Sequence, residues 1–458
     1  RATPEALNLM YQISGKTGEK GLSEDLAIDS YNLALDIMTS VWNTACKIPV
    51  FLSGINGGTK AALESFSDNF KVDRKLLDSV LKLGPLIKEH SADGEINRRV
   101  SAGVINAMKD AGLFKMMVPK SLGGLEMDPV TIARVFEEIA RFDSSASWIL
   151  QATTSGDFYC ARLPEKGVKE IYSKTSDSMI ALCVHPPMKA TPVSGGFKVS
   201  GQSNISSGIN DANWVMILMT QAGKEGLTGA FIPTKDLKIL DTWDTMGMRA
   251  TDSNSIVIKD LFVPSSRTWK VQPTFNPESN FKGPLYRYPS LGEGVLVLAP
   301  VALGIARVAV DEFKQLALGK TPFMSSTKLS ERPVAQLALG KAQGILHSAR
   351  TFFYSTVIQA WERTLAGKAS TREEKNKLFL ATVHLMQSCV EVVDLVCGMA
   401  GTSGVYKRSP LERAFRDIHT VRHHGWVSES RYGTYGQIAL GLEPDFPVAL
   451  FGPDKGMS

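Results

Sequence analysis

Trp214-Val215-Met216-Ile217-Leu218 decides the architecture, because around it the spacing of apolar residues changes from helical to extended. Between Ser178 and Val271 it is joined by Met179-Ile180-Ala181-Leu182, Phe197-Lys198-Val199-Ser200, Gly229-Ala230-Phe231-Ile232 and Ser255-Ile256-Val257-Ile258. Short runs rich in β-branched and aromatic residues read as strands, and Gly195-Gly196 between two of them reads as a hairpin turn. A small β-barrel-like domain is therefore expected over residues 178–271.

On both sides the period is helical. From Val72 to Pro164 apolar residues recur through Leu76-Leu77, Val80-Leu81, Val104, Met108, Val135-Phe136 and Ile139, with Asp128 placed to cap a helix whose first residue is Pro129. Residues 72–177 are expected to form an N-terminal helical domain. From Leu291 to Tyr435 the period persists through Val308-Ala309-Val310, Leu316, Leu337, Ile345-Leu346, Phe352-Phe353, Leu385-Met386 and Val392-Val393. Residues 272–458 are expected to form four or five long antiparallel helices packed as a bundle. Residues 1–71 stay unassigned, with one helical stretch through Leu33, Leu35, Ile37, Met38, Val41 and Trp42.

Composition narrows the class. The 458 residues are 43% hydrophobic and 21% charged, the balance of an ordinary globular protein. Lys and Arg number 51 against 46 acidic residues, with no long run of one sign, so nothing points to a nucleic-acid stripe. Five scattered cysteines, Cys46, Cys160, Cys183, Cys389 and Cys397, show no CxxC pairing and favour neither a zinc site nor a disulfide framework. No apolar run approaches the roughly 18 residues of a membrane span, and no signal-peptide pattern follows Arg1. A cytoplasmic protein without a membrane or nucleic-acid partner is expected.

Four segments, in this order, resemble the acyl-CoA dehydrogenase superfamily. They are Ala111-Gly112-Leu113-Phe114 with Val118-Pro119-Lys120-Ser121-Leu122-Gly123-Gly124; Met246-Gly247-Met248-Arg249-Ala250-Thr251-Asp252-Ser253; Ile258-Lys259-Asp260-Leu261-Phe262-Val263-Pro264; and Leu411-Glu412-Arg413-Ala414-Phe415-Arg416-Asp417. The resemblance covers residues 72 to 447. It implies a mainly α fold with a central β-domain between an N-terminal helical domain and a C-terminal antiparallel four-helix bundle. The dehydrogenases carry a glutamate base shortly after the arginine-aspartate pair, and Gly425 stands at that place here.

The segment Arg416-Asp417-Ile418-His419-Thr420-Val421-Arg422-His423-His424-Gly425-Trp426 instead resembles the oxygenase components of two-component flavin monooxygenases. These include phenol-type hydroxylases and the dibenzothiophene S-oxygenase. In that branch a histidine stands where His424 does, and the tail resembles Gly441-Leu442-Glu443-Pro444. Asn204-Ile205-Ser206-Ser207-Gly208 looks like the branch's flavin segment, with Asn204 in place of the usual aromatic.

This resemblance implies reduced FMN or FAD, FMN slightly favoured, supplied by a separate flavin reductase. It implies O2 as co-substrate, a C4a-(hydro)peroxyflavin, and a small aromatic or heteroatom-containing substrate. Ser206 and Ser207 are the expected donors near the flavin, and His424 the acid or base, with His423 one register step away. Arg249 is expected at the flavin phosphate or ring carbonyl edge, alongside Asn204, Thr251 and Ser253. Gly401-Thr402-Ser403-Gly404 resembles a loop that meets flavin at a subunit contact of a homotetramer. Thr153, Ser155, Phe158 and His423 are expected to line the substrate pocket.

The competing readings are an acyl-CoA dehydrogenase or oxidase using FAD, and a non-catalytic scaffold. Arg416-Asp417 reads as a structural ion pair, and His419 with His423 lacks the further ligands of a metal site, so no metal is expected.

Overall fold

The computed structural model describes residues 72–172, 178–272, 274–275, 281–289 and 291–453. The helical stretch expected near residues 33–42 lies outside the described residues. Among the described residues six α-helices come first: α1 (Arg74–Glu89), α2 (Ser91–Asn97), α3 (Ala102–Asp110), α4 (Pro129–Phe142), α5 (Ser144–Cys160) and α6 (Glu165–Tyr172). Asp128 caps α4 by accepting from the Thr131 N–H at 2.9 Å, with Pro129 opening the helix as the sequence predicts. Asp143 ends α4 and caps α5 through the Ala146 N–H at 2.7 Å, so the two helices turn on one residue.

The β-domain is one mixed sheet of seven strands: β1 (Ile180–Val193), β2 (Gly196–Ser206), β3 (Trp214–Gln221), β4 (Thr228–Pro233), β5 (Lys238–Leu240), β6 (Asn254–Pro264) and β7 (Thr268–Lys270). Their order is β5-β6-β2-β1-β3-β4-β7; β1 and β3 run parallel and the other neighbours antiparallel. Val193 pairs with Gly196, so the hairpin turns at Ser194-Gly195, one residue earlier than the sequence suggests. Helix α5 lies directly on this sheet. A Cβ at Gly156 would stand 2.4 Å from the Ile180 side chain, so only glycine permits that approach.

The last part is helical again: α7 (Leu291–Gly319), α8 (Pro333–Leu365), α9 (Arg372–Ala400), α10 (Pro410–Val421) and α11 (Arg431–Ala439). Three of these run 29, 33 and 29 residues. By length and composition α9 would cross a membrane, but two-thirds of that apolar stretch is buried in the protein, as in the core helix of a bundle.

The bundle meets the N-terminal helices around a fully buried carboxylate. Glu137 on α4 takes Arg350 at 3.0 Å, Arg307 at 2.5 Å, Arg134 at 3.3 Å and the Tyr354 hydroxyl at 2.6 Å. Burial alone would raise its pKa; the three guanidinium groups hold it well below the usual carboxylate range. A buried polar cluster of this kind fixes register because each member loses its partners if the helices slide.

Candidate functional site

Three parts of the chain converge at the start of α5. Strand β2 ends on Ser206, and just before it Ile205 adopts φ 62°, left-handed backbone that a β-branched residue rarely takes. Its side chain is 61% exposed. The β2–β6 ladder shifts register between Ser203 and Ser206, a bulge of the kind that re-aims side chains at sites. After the kink, Ser206 and Ser207 are both buried.

Beyond Ser207 runs a chain of hydroxyls whose direction can be deduced. Thr251 Oγ1 donates to the Met248 carbonyl at 2.8 Å, which uses its only proton. Ser253, 2.7 Å away, must therefore donate to Thr251. Ser207, 2.7 Å from Ser253, must in turn donate to Ser253. The Trp148 indole N–H then donates to Ser207 Oγ at 3.0 Å. Every proton in the run Trp148, Ser207, Ser253, Thr251 points inward, and no carboxylate takes part.

Ser206 is the opposite case. Its Oγ is buried without a hydrogen-bond partner. The nearby Cys183 thiol is pushed up to about 11, chiefly by burial; Ser206 eases that shift from beside it without meeting hydrogen-bond geometry. A buried donor without a partner costs about 1–3 kcal/mol, so this hydroxyl is suited to a ligand. The two serines that the sequence treats alike are thus distinguished: Ser207 is committed to the protein and Ser206 is available.

The third part is the turn after α10. His424 sets its ring against Trp148, centroids 5.8 Å apart at 68°, an edge-to-face contact. The Trp426 backbone N–H approaches Nδ1 at 3.4 Å, so Nδ1 accepts and the proton sits on Nε2. His424 is half-buried by surface, yet enough protein surrounds it that burial lowers its pKa to about 4. Burial thus disfavours the charged form of the acid or base expected from the sequence, and with Nδ1 accepting it is Nε2–H that is left to donate. His423 points to solvent, so of the two histidines only His424 meets the site.

Asp417 fixes the frame. One of its oxygens accepts from the Met248 N–H at 2.6 Å and the other from Ser144 Oγ at 2.5 Å, with Arg413 at 3.4 Å. Arg416 pairs with Glu412 and Glu95 instead, so Arg416 and Asp417 are not a mutual ion pair; adjacent helical residues face different ways. Gly247, in the same loop, has no room for a Cβ, which would stand 2.3 Å from the Arg416 carbonyl.

Other expected site residues lie differently. Arg249 donates through one terminal nitrogen to Asp244 at 2.9 Å and to the Thr245 carbonyl at 2.7 Å, and its Nε approaches the Glu95 carbonyl at 3.4 Å. Asn204 is exposed and its carbonyl end accepts from Ser255 at 3.1 Å. Thr153 packs its methyl where the turn at Gly208 passes α5, while its hydroxyl bonds back to Ile149. Ser155 is buried with its hydroxyl on the Gln151 carbonyl. Phe158 packs on Tyr286, ten residues or about 15 Å along α5 from Trp148, too far to share a small pocket with it. The Gly401-Thr402-Ser403 loop is on the surface at the end of α9, where Lys320 Nζ donates to the Ala400 carbonyl at 2.6 Å. Trp148 was not among the expected residues; the one available signal was a lone large aromatic after Ser144-Ser145-Ala146-Ser147.

A polar cavity of about 300 Å³ lies behind the Asp252–Asn254 segment, lined by Arg98, Arg99, Asn210 and Trp243 among others. Its cations are already paired, Arg98 with Asp241 and Arg99 with Asp211.

Residues 74–163 match the acyl-CoA dehydrogenase N-terminal domain and residues 296–429 the acyl-CoA dehydrogenase C-terminal domain. The chain is 34% identical over 363 residues to the indole-3-acetate monooxygenase of Pseudomonas putida, covering 78% of this chain and 92% of that enzyme. It is 24% identical to the flavin-dependent monooxygenase oxygenase subunit HsaA of Rhodococcus jostii, covering 80% and 97%. Among solved structures, the 3-HSA hydroxylase from Rhodococcus sp. RHA1 superposes with TM-score 0.77 at 22% identity, over 82% of this chain and 99% of that one. TdsC from Paenibacillus sp. A11-2, solved with FMN and indole, superposes with TM-score 0.68 at 18% identity, over 81% and 98%.

The chain belongs to the acyl-CoA dehydrogenase superfamily. Within it, this is a flavin-dependent monooxygenase, of the branch whose members are oxygenase components working with reduced flavin.

Proposed function

We propose that the protein oxygenates a small aromatic substrate of indole type at the Ser206–Trp148–His424 site, with FMN or FAD reduced by a separate reductase. One observation carries this reading: the Trp148 indole joins a donor-oriented His424 to Ser207, whose neighbour Ser206 has a buried, unpartnered hydroxyl, in a chain of groups without a carboxylate. Proton abstraction next to a thioester needs a strong base. Gly425 occupies the dehydrogenase glutamate's place, and an imidazole near 4 is a poor substitute. The names of the relatives support the substrate class, since the Pseudomonas putida enzyme acts on indole-3-acetate and TdsC was solved with indole.

The residues fit a flavin. Ser206 would donate to it, and the exposed face of Ile205 would meet a flat ring. When bound, reduced flavin supplies the electrons that activate O2. This chain's part is to orient and to exclude water: His424 holds its Nε2 proton toward the substrate side, while the Trp148 ring walls that side off. We propose a homotetramer, supported by fully exposed Phe323 and Met324 in the α7–α8 loop that also carries Lys320.

The test mixes the anaerobic protein with reduced FMN or FAD and indole-3-acetate, admits oxygen, and measures oxygenated product against hydrogen peroxide. Product with either flavin supports the reading. Bleaching of bound FAD by an acyl-CoA, with no oxygenated product, overturns it.

A further inference from the structure

Trp148 touches both Ser207, the neighbour of the unpartnered Ser206, and His424 while belonging to neither of their domains. Its single N–H goes to Ser207 at 3.0 Å, and its ring meets His424 edge to face. Helix α5 that carries it is held at three points: the Asp143 cap, the Ser144–Asp417 hydrogen bond at 2.5 Å, and the Gly156 contact on Ile180. The segment bearing Ser207 and the turn bearing His424 therefore both rest on a rigid helix through one indole.

We propose that Trp148 is a positioning residue for oxygenation. Its N–H fixes the Ser207 oxygen at the outer end of the Ser207–Ser253–Thr251 chain, whose inward direction Thr251 sets, while its ring fixes the His424 imidazole. The consequence lies at Ser206. With Ser207 held as donor to Ser253 and acceptor from Trp148, only the adjacent Ser206 hydroxyl of the pair is left without a protein partner. Without the indole N–H, the Ser207 oxygen loses the donor that α5 supplies and is held through Ser253 alone, so the turn carrying both serines is tied less tightly to α5. Donors held in one arrangement favour a single outcome of the reaction, whereas a mobile pair lets activated oxygen escape as peroxide. This inference rests on the monooxygenase reading above.

Trp148→Phe keeps a ring against His424 and removes only the N–H. Expected results are a substrate KM and reduced-flavin affinity within about twofold of the parent, and a severalfold lower product yield per O2, with hydrogen peroxide making up the difference. Trp148→Phe combined with Ser207→Ala should lose no more than the worse single variant, because both break one link. A second readout needs no turnover. In protein labelled with ¹⁵N-tryptophan, the Trp148 indole proton should exchange slowly, and Ser207→Ala should speed that exchange at least tenfold, with or without flavin.

Unchanged coupling in Trp148→Phe, or an indole proton that exchanges as fast in the parent as in Ser207→Ala, overturns the proposal. Absence of oxygenated product from the parent protein overturns the monooxygenase reading instead, and the exchange experiment still decides the Trp148–Ser207 link.

Discussion

The Asp417 carboxylate in the bundle accepts the backbone N–H of Met248 in the β-domain at 2.6 Å, across 169 residues of sequence. The same group accepts from Ser144 at the head of α5 and lies beside Arg413, so a single buried side chain joins the three parts that build the site. Asp417→Asn keeps the shape and removes the charge. It should destabilise the protein by about 1–3 kcal/mol, since an amide NH2 would face either the Met248 N–H or the Ser144 hydroxyl, although Arg413 keeps Asp143 at 2.8 Å. Equilibrium denaturation of parent and variant, without flavin, measures this; a change below about 0.5 kcal/mol would mean that the Asp417 charge and its two accepted hydrogen bonds do not hold the three parts together.

Gly247→Ala tests the same joint from its other side. The added methyl meets the Arg416 carbonyl, a backbone atom that cannot swing aside. A loss of about 1–3 kcal/mol is expected, as for other overpacked contacts. Combined with Asp417→Asn, the two losses should fall short of their sum, because each loosens the same loop from α10.

The serine pair offers a contrast within two residues. Ser207→Ala removes the acceptor of Trp148 and the donor to Ser253, leaving buried polar atoms unmatched, and should cost about 1–3 kcal/mol in the flavin-free protein. Ser206→Ala removes a buried hydroxyl that has no partner, so flavin-free stability should hold or rise, while affinity for reduced flavin should fall about tenfold. Thermal unfolding and flavin titration of the two variants check both halves, and equal behaviour of the pair would refute the deduced direction of the chain.

These contrasts mark how far the sequence could be read. Period 2 between residues 178 and 271, period 3.6 on either side, and the Asp128-Pro129 cap are local signals, and the elements follow them. The distinction between Ser206 and Ser207 is not local. It depends on Trp148, 59 residues away, and on Thr251 having already committed its proton to Met248. Arg249 looks available in a segment of small polar residues, but its partners include the Glu95 carbonyl 154 positions earlier. His424 reads as a neutral-range imidazole because a sequence carries no measure of how much protein will surround it.

That burial gives the last prediction its sign. Burial lowers His424 to about 4 in the folded protein, against about 6.5 for a free imidazole in the unfolded chain. Between those values the unfolded chain binds a proton that the folded one does not, so stability rises with pH across that window. The contribution is fully present above 6.5 and is lost as pH falls toward 4, by about 3 kcal/mol at the lower end. His424→Gln has no proton to gain, so its stability should change less than the parent's between pH 7.5 and 4.5, as urea midpoints at the two pH values would measure. Activity should behave differently from stability. A neutral Nε2–H donor has nothing to titrate between pH 5 and 8, so the parent's profile should show no inflection from this residue there. An inflection near 6.5 that disappears in His424→Gln would mean that the imidazole works as an acid or base after all, and that the donor role assigned to it is wrong.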